Sequence, residues 1–396
     1  MANILYLAHR IPYPPDKGDK ISSFNFLRHL SVRHQVFLGA FVDSEDDWQH
    51  VDTLKTYCAD LKLIGIRPLP RKLWSARAML GSRSLTEAYY GSADMQAWVD
   101  TTVKNQGISA VFAYCSAMAP YAHQQRFAGL RRVTHFSDVD SEKWKSYAEA
   151  HSGPMRWAYA REGRTLLALE RKMSRAYDVT SFISDADAAL YRQLAPESAQ
   201  RVRVIPNGVD TVYFDPALAY ESPFATGTKA VVFVGAMDYW PNGDAVRWFA
   251  TEVMPLLRQA RPDVEFWIVG SKPPREVQQL AELPGINVTG RVPDVRPYIA
   301  HASAVVAPLR VARGTQNKVL EAYAMARRVV LTGAAANGLR PAPFIAEDTH
   351  DAPEALAAAV GRALDAPAHF EPARGYVMNN FSWGSANAEL DRALRL

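Results

Sequence analysis

A chain of 396 residues is long enough for two domains of ordinary size. Its 48% hydrophobic and 22% charged residues exclude a largely disordered chain, and a net charge of only +4 argues against nucleic acid as a partner. No apolar run approaches the roughly 20 residues that cross a bilayer, and Cys58 and Cys115 stand far apart outside any metal-ligand pattern, so a protein of the reducing cytoplasm is expected.

Short apolar runs alternate with longer amphipathic ones, the pattern of an α/β protein with parallel sheets. In the first half, strands are expected at 3–8, 35–41, 61–66, 110–114, 132–136, 179–183 and 201–205. Helices are expected at 22–33, 95–106 and 141–177, the last interrupted at Gly153-Pro154. The periodicity lapses between Pro206 and Lys229, where Pro206, Gly208, Pro216, Pro223 and Gly227 suit a linker. It restarts with strands at 230–235, 264–270, 286–289, 304–307 and 328–332 and helices at 243–261, 316–326 and 353–365. A final amphipathic segment, 383–396, either closes the second domain or packs back on the first. Two Rossmann-like domains joined near residue 210 are therefore expected.

Several enzyme signatures are missing: no Walker A, GxGxxG, GxSxG or HExxH sequence occurs. Two Asp-x-Asp triplets do occur, Asp138-Val139-Asp140 and Asp185-Ala186-Asp187. Such a triplet can hold a divalent metal against a diphosphate, but Asp185 and Asp187 follow Ser184 and read better as a helix start.

The most informative stretch runs from Arg310 to Met325. An apolar strand meets Pro308, then a basic loop with Arg310, Arg313, Gly314, Thr315 and Gln316, then an amphipathic helix with Lys318 and Glu321. A loop feeding a helix start presents free N–H groups to a phosphate, and the three cations add positive charge beside it. Glu321, about one and a half turns on, is placed to accept two hydrogen bonds from the vicinal hydroxyls of a ribose. Spacing alone is equally consistent with a plain surface helix carrying Lys and Glu at i, i+3.

Strand, loop and helix ending in Leu320-Glu321-Ala322-Tyr323-Ala324 resemble the nucleotide-sugar site of family 4 glycosyltransferases. Val204-Ile205-Pro206-Asn207-Gly208-Val209-Asp210 is similar to that family's interdomain segment. Phe233-Val234-Gly235-Ala236-Met237-Asp238-Tyr239-Trp240-Pro241-Asn242 resembles the strand and loop opening its donor domain. Trp267-Ile268-Val269-Gly270 and Val288-Thr289-Gly290-Arg291-Val292 resemble the next two strands. In the first half, Pro14-Pro15-Asp16-Lys17-Gly18-Asp19-Lys20 lies where the family has a Gly-rich loop, and Asp138-Val139-Asp140-Ser141-Glu142-Lys143-Trp144 suggests a bacterial exopolysaccharide-associated branch.

The resemblance implies a GT-B fold, two Rossmann-like domains facing each other across a cleft. Residues 1–206 would bind the acceptor and 207–380 the nucleotide-sugar donor, with 381–396 a terminal helix returning to the first domain. It implies a metal-independent, retaining transfer of a sugar from a UDP- or GDP-linked donor to a glycan or lipid-linked acceptor, with no cofactor. Gly18, Gly235, Met237, Asn242, Arg291, Val292, Gly314, Thr315, Gln316, Lys318 and Glu321 would contact the donor. The usual diphosphate-gripping Arg and Lys align with Ala236 and Asn242, and the usual Glu eight residues before Glu321 is Arg313. Arg310, Arg313 and Lys318, with Lys272, are expected to supply the missing charge. On the acceptor side His135 and Asp138, at the end of the 132–136 strand, are the candidates; a core histidine and a helix cap are the competing readings. A nucleotide-sugar epimerase of the same fold and an inactive donor-binding protein remain the alternatives. Finally, residues 67–83 carry Arg67, Arg71, Lys72, Arg77 and Arg83, no acid, and interleaved apolar residues, a pattern that could rest on an anionic membrane surface or pack as an ordinary helix on the sheet.

Overall fold

The computed structural model describes all residues except 16–17, 68–69, 72–74, 76–77, 80 and 313. The chain divides into two units, Met1–Pro206 with Ala386–Leu396, and Asn207–Ser385.

The first unit is built on seven parallel strands: β1 (Asn3–Ala8), β2 (Gln35–Val42), β3 (Asp60–Gly65), β4 (Ala110–Tyr114), β5 (Arg131–Ser137), β6 (Val179–Phe182) and β7 (Val202–Val204). They are ordered β3-β2-β1-β4-β5-β6-β7. Continuous apolar runs such as Leu5, Leu7, Val111 and Ala113 suit strands covered on both faces, and all four are fully buried. The second unit holds β8 (Lys229–Val234), β9 (Val264–Val269), β10 (Ile286–Gly290), β11 (Ala304–Ala307) and β12 (Val329–Leu331), ordered β10-β9-β8-β11-β12 and again parallel. In each sheet the chain starts centrally, builds one side and then crosses to the other. The direction reverses between β1 and β4 and between β8 and β11, and ligands of such sheets bind beyond the strand C-termini at that reversal.

Seven helices matter below: α1 (Gly18–Ser31), α2 (Asp140–Glu149), α3 (Gly153–Ala176), α4 (Asp185–Leu194), α5 (Trp240–Trp248), α6 (Asn317–Ala324) and α7 (Trp383–Leu394). The expected 141–177 helix breaks into α2 and α3. Gly153 adopts φ 61° and Pro154 takes the first turn of α3, where it has no N–H to waste. α4 starts as its sequence suggests: the Ser184 hydroxyl accepts from the Asp187 amide at 3.0 Å. The expected 243–261 helix starts earlier, with Pro241 in its first turn. It runs as α5, a π turn over Phe249–Val253 and a further stretch Met254–Ala260.

Helix α3 also supports the segment before β4. Glu162, fully buried, accepts from the Leu85 amide at 2.6 Å, the Thr86 amide at 2.9 Å and the Thr86 hydroxyl at 2.8 Å. Much of the basic 67–83 stretch lies outside the described residues. Of its described cations, Arg71 donates to the carbonyls of Tyr89 and Gly91, and Arg83 pairs with Glu87. No helix among the described residues is long and apolar enough to cross a membrane.

Candidate functional site

In the second unit the loops that leave β8, β9 and β10 are laced edge to edge. The Gly235 amide donates to Val269 O at 3.0 Å, Gly270 to Gly290 O at 3.2 Å, and Met237 to Ser271 O at 2.9 Å. Gly270 is required by that approach, since a Cβ there would lie 1.7 Å from Gly235 O. Met237 is 1% exposed, so its side chain belongs to the core and its backbone helps shape the loop.

Helix α6 enters the same neighbourhood from the sequence side. Val319, Leu320, Ala322, Tyr323 and Ala324 bury one face of it, each large apolar side chain worth about 1.5–3 kcal/mol. That anchoring leaves Lys318 and Glu321, three residues apart, on a common face. The Lys318 ammonium donates to Asn242 Oδ1 at 2.8 Å, and Asn242 Nδ2 donates to Ala236 O at 2.8 Å. Lys318 Nζ also lies 5.2 Å from the Phe233 ring centroid. The structure therefore brings Gly235, Asn242 and Lys318 together, and a lysine from α6 reaches the loop that holds Ala236 and Asn242.

Burial pushes the Lys318 ammonium down to about 8, against the pull of Glu321, and pushes the Glu321 carboxyl up to about 7, against Lys318. Among the described residues no carboxylate lies within 4.0 Å of Lys318 and no side chain hydrogen-bonds Glu321. A half-desolvated cation and a carboxylate with acceptor capacity to spare are thus held on one short helix. The turn before it is rigid: Gly314 adopts φ 62°, the Thr315 hydroxyl donates to Gly338 O at 2.9 Å, and Gln316 Nε2 donates to Gly314 O at 3.3 Å. Thr315, 7% exposed, thus spends its hydroxyl proton on the fold.

The other expected cations are placed differently. Arg310 Nε donates to Asp244 Oδ2 at 2.9 Å, and Lys272 pairs with Asp238 at 3.6 Å. Each of these two expected cations thus stands beside a carboxylate, and both remain largely exposed. Arg313 lies outside the described residues. Arg291 is exposed just past β10, and Val292 packs on the core.

In the first unit His135 is 0% exposed, its Nδ1 is 2.9 Å from Ser181 Oγ, and burial pushes it down to about 3. The ring packs among Phe26, Phe112 and Tyr114, with its Nε2 buried and without a hydrogen-bond partner among the described residues. Asp138 follows Ser137, which sits at φ 69°, and its amide donates to Phe136 O at 3.0 Å. The helix that follows has Val139 at its N-cap and no side-chain cap, so Asp138 is not that cap. Gly18 opens α1 and is exposed. From the same motif, Lys20 forms an interior ion pair with Asp47 at 2.9 Å.

Sequence reasoning passed over the group at the β1/β4 reversal. Arg10 bridges Asp19 at 2.7 Å and Asp43 at 2.9 Å, and His9 Nε2 lies 3.4 Å from Asp19. Although burial opposes it, the hydrogen bond from His9 and the charges of His9 and Arg10 hold the Asp19 carboxyl well below the usual range. His9 stacks on Tyr114 at 6.0 Å, and Cys115, next in sequence, sits at φ 83°. The available signal was His9-Arg10 itself, charged residues directly ending an otherwise apolar strand.

Comparison with known proteins bears on the fold and on one stretch of sequence. No curated protein matches the chain. Among solved structures, a glycosyltransferase from Rickettsia africae ESF-5 is similar at 14% identity, covering 100% of this chain and 99% of that one with a TM-score of 0.66. Anabaena Alr3699/HepE in complex with UDP is similar at 14% identity over 100% of both chains, TM-score 0.69. Sucrose-phosphate synthase from Thermosynechococcus elongatus gives 16%, 100%, 98% and 0.68 in the same order. Residues 228–366 match the family model described as "Glycosyl transferases group 1". The fold is therefore that of GT-B glycosyltransferase structures, and within its second unit residues 228–366 are similar to the glycosyl transferases group 1 family.

Proposed function

We propose that this protein is a retaining, family 4-like glycosyltransferase that moves a sugar from a nucleotide-diphosphate donor to an acceptor hydroxyl. The observation that carries the reading is the Lys318–Asn242–Ala236 chain, which sets a cation over the loop leaving β8 with the Glu321 carboxylate one turn further along α6. Glu321 accepts the ribose hydroxyls. Lys318 and the amides around Gly235 and Gly314 meet the diphosphate, joined by Arg313, and Arg291 and Val292 border the nucleoside. As the glycosidic bond breaks, negative charge grows on the leaving diphosphate, and a fixed, partly desolvated ammonium stabilises that charge more than it stabilises the intact donor. The leaving phosphate takes the proton of the acceptor hydroxyl as it attacks from the same face, so the chain supplies no nucleophile and needs no metal for this step. The donor is UDP-linked by analogy with the neighbour that binds UDP.

Residues 1–206 hold the acceptor, with Asp138 beside it, and 207–380 hold the donor, which Gly18 also approaches. The acceptor is a glycan or lipid-linked sugar of bacterial exopolysaccharide synthesis, met at the cytoplasmic face of the membrane by the basic 67–83 segment. Incubation with UDP- and GDP-sugars and a glycan or lipid-linked acceptor tests the reading. Transfer or slow donor hydrolysis with retained anomeric configuration supports it, whereas sugar interconversion or binding without turnover would refute it. Flotation with anionic liposomes tests the membrane part separately.

A further inference from the structure

Just after the first unit's last strand, the irregular start of the second unit carries Tyr213, 45% exposed. It is nonetheless immobilised. The Arg296 guanidinium lies 3.7 Å over its ring and 5.6 Å from the Tyr220 ring, and Arg296 Nη1 donates to Tyr213 O at 3.2 Å. Arg296 is itself gripped by Asp294, Nε at 3.0 and 2.9 Å from its two oxygens and Nη2 at 2.6 Å. A guanidinium fixed by a two-pronged carboxylate and stacked on an aromatic ring is a rigid backing. Phe214 meets Tyr213 edge-on at 5.0 Å, and Arg374 ties the Phe214 carbonyl at 3.1 Å and the Ala324 carbonyl at 2.6 Å. The Tyr213 segment is thereby pinned on one side to the turn following β10 and on the other to the end of α6, the helix that carries Glu321. The Glu321 carboxylate adds to the rise that burial and Asp294 impose on the Tyr213 hydroxyl, which places the two side chains in one electrostatic neighbourhood.

We propose that Tyr213, backed by Arg296 and Asp294, is the aromatic wall against which the nucleobase of the donor packs. The inference rests on the donor-binding reading above. If Glu321 holds the ribose hydroxyls, the base joined to that ribose by a single bond falls within about one ring's length of the carboxylate, and Tyr213, tied through Phe214 and Arg374 to the end of the helix that carries Glu321, offers an exposed ring backed by Arg296. A ring already fixed by Arg296 contributes contact area without an ordering cost on binding. A π face also accepts any base, so the wall strengthens binding of all nucleoside diphosphates rather than selecting one.

Calorimetric titration of the full-length protein with UDP, GDP and ribose 5-diphosphate, which lacks a base, tests this. Tyr213→Ala should weaken UDP and GDP about tenfold while leaving ribose 5-diphosphate within about twofold. Tyr213→Phe, which keeps the ring, should match wild type, and Tyr213→Leu, which keeps bulk without the ring, should follow the Ala variant. Glu321→Gln should weaken all three ligands. Unchanged UDP affinity in Tyr213→Ala, or an equal loss for the baseless ligand, would overturn the proposal; if Glu321→Gln still loses affinity, the donor site stands without it. Failure of wild-type protein to bind any nucleoside diphosphate would overturn both.

Discussion

Donor affinity should follow a bell-shaped curve in pH with its maximum between about 7 and 8, because the two charges expected to hold the donor titrate from opposite sides of neutrality. Burial raises Glu321 from 4.5 to about 7 and lowers Lys318 from 10.5 to about 8. One pH unit below its pKa a carboxyl is only about one-tenth ionised. Affinity that requires the carboxylate to accept two hydroxyl protons should therefore fall about tenfold between pH 7.5 and 6. Above pH 8 Lys318 loses its proton, and attraction to a diphosphate, roughly 4 kcal/mol for a pair at 4 Å in a surface-like dielectric before desolvation, is lost with it. Below about pH 9, where the nucleobase N–H begins to ionise, an intact nucleotide sugar carries no titrating proton, so both limbs there belong to the protein, and because the groups interact they report the pair. Calorimetric or fluorescence titration from pH 5.5 to 9.5 reads the curve. Glu321→Gln should lower the affinity and abolish the acid limb, and Lys318→Met should abolish the alkaline one. A flat profile, or an acid limb that survives in Glu321→Gln, would refute the assignment.

The same shifts bear on stability. Glu321's contribution is complete below 4.5 and lost as pH rises through about 7, whereas that of Lys318 is present above 10.5 and lost as pH falls through about 8. Both are unfavourable near pH 7.5, so the uncharged double variant Glu321→Gln/Lys318→Met should melt at or above the wild-type temperature there while donor binding is lost; a clear drop in melting temperature would contradict this. Gly270→Ala forces a Cβ to 1.7 Å from Gly235 O and should cost upwards of 3 kcal/mol in urea unfolding or prevent folding; a change below about 1 kcal/mol would show that the loops do not meet as described. Glu162→Ala strands the amides of Leu85 and Thr86 and should cost about 2–4 kcal/mol by the same measurement. His135→Asn should lower the melting temperature and leave the pH profile of turnover unmoved; a displaced profile would restore a catalytic part for His135.

How much could be read in advance depended on how local the cause was. β1, β4 and β11 begin and end where their apolar runs do, because strands buried on both faces leave uninterrupted hydrophobic stretches. The break at Gly153-Pro154 was legible for the same reason, being written into two adjacent residues. The π turn at Phe249–Val253 was not, since one extra residue per turn alters which side chains share a face without changing composition. Nor was helix Glu371–Asn380, whose Pro, Gly and Asn content suits a loop, yet whose Ala373, Tyr376 and Val377 find a buried place in the second unit's core. At the site, Lys318 and Glu321 were visible as spacing on one helix. What Arg310 does was not, because its partner Asp244 is 66 positions away. Tyr213 escaped for a similar reason: a Pro- and Gly-rich stretch reads as a linker, and only the remote Arg296 and Arg374 make it rigid.

The division of the chain has a consequence for how the protein is made. The first unit is discontinuous, taking eleven residues, Ala386–Leu396, from beyond the whole of the second. His29 awaits Asp391 at 2.8 Å, and Arg131 awaits the carbonyl of Ala393 at 2.8 Å. On the ribosome, residues 1–206 emerge long before their last helix does. The unit begun first is therefore completed only after the other, because the stretch carrying Glu321 has every strand of its sheet in hand before Ala386–Leu396 emerge.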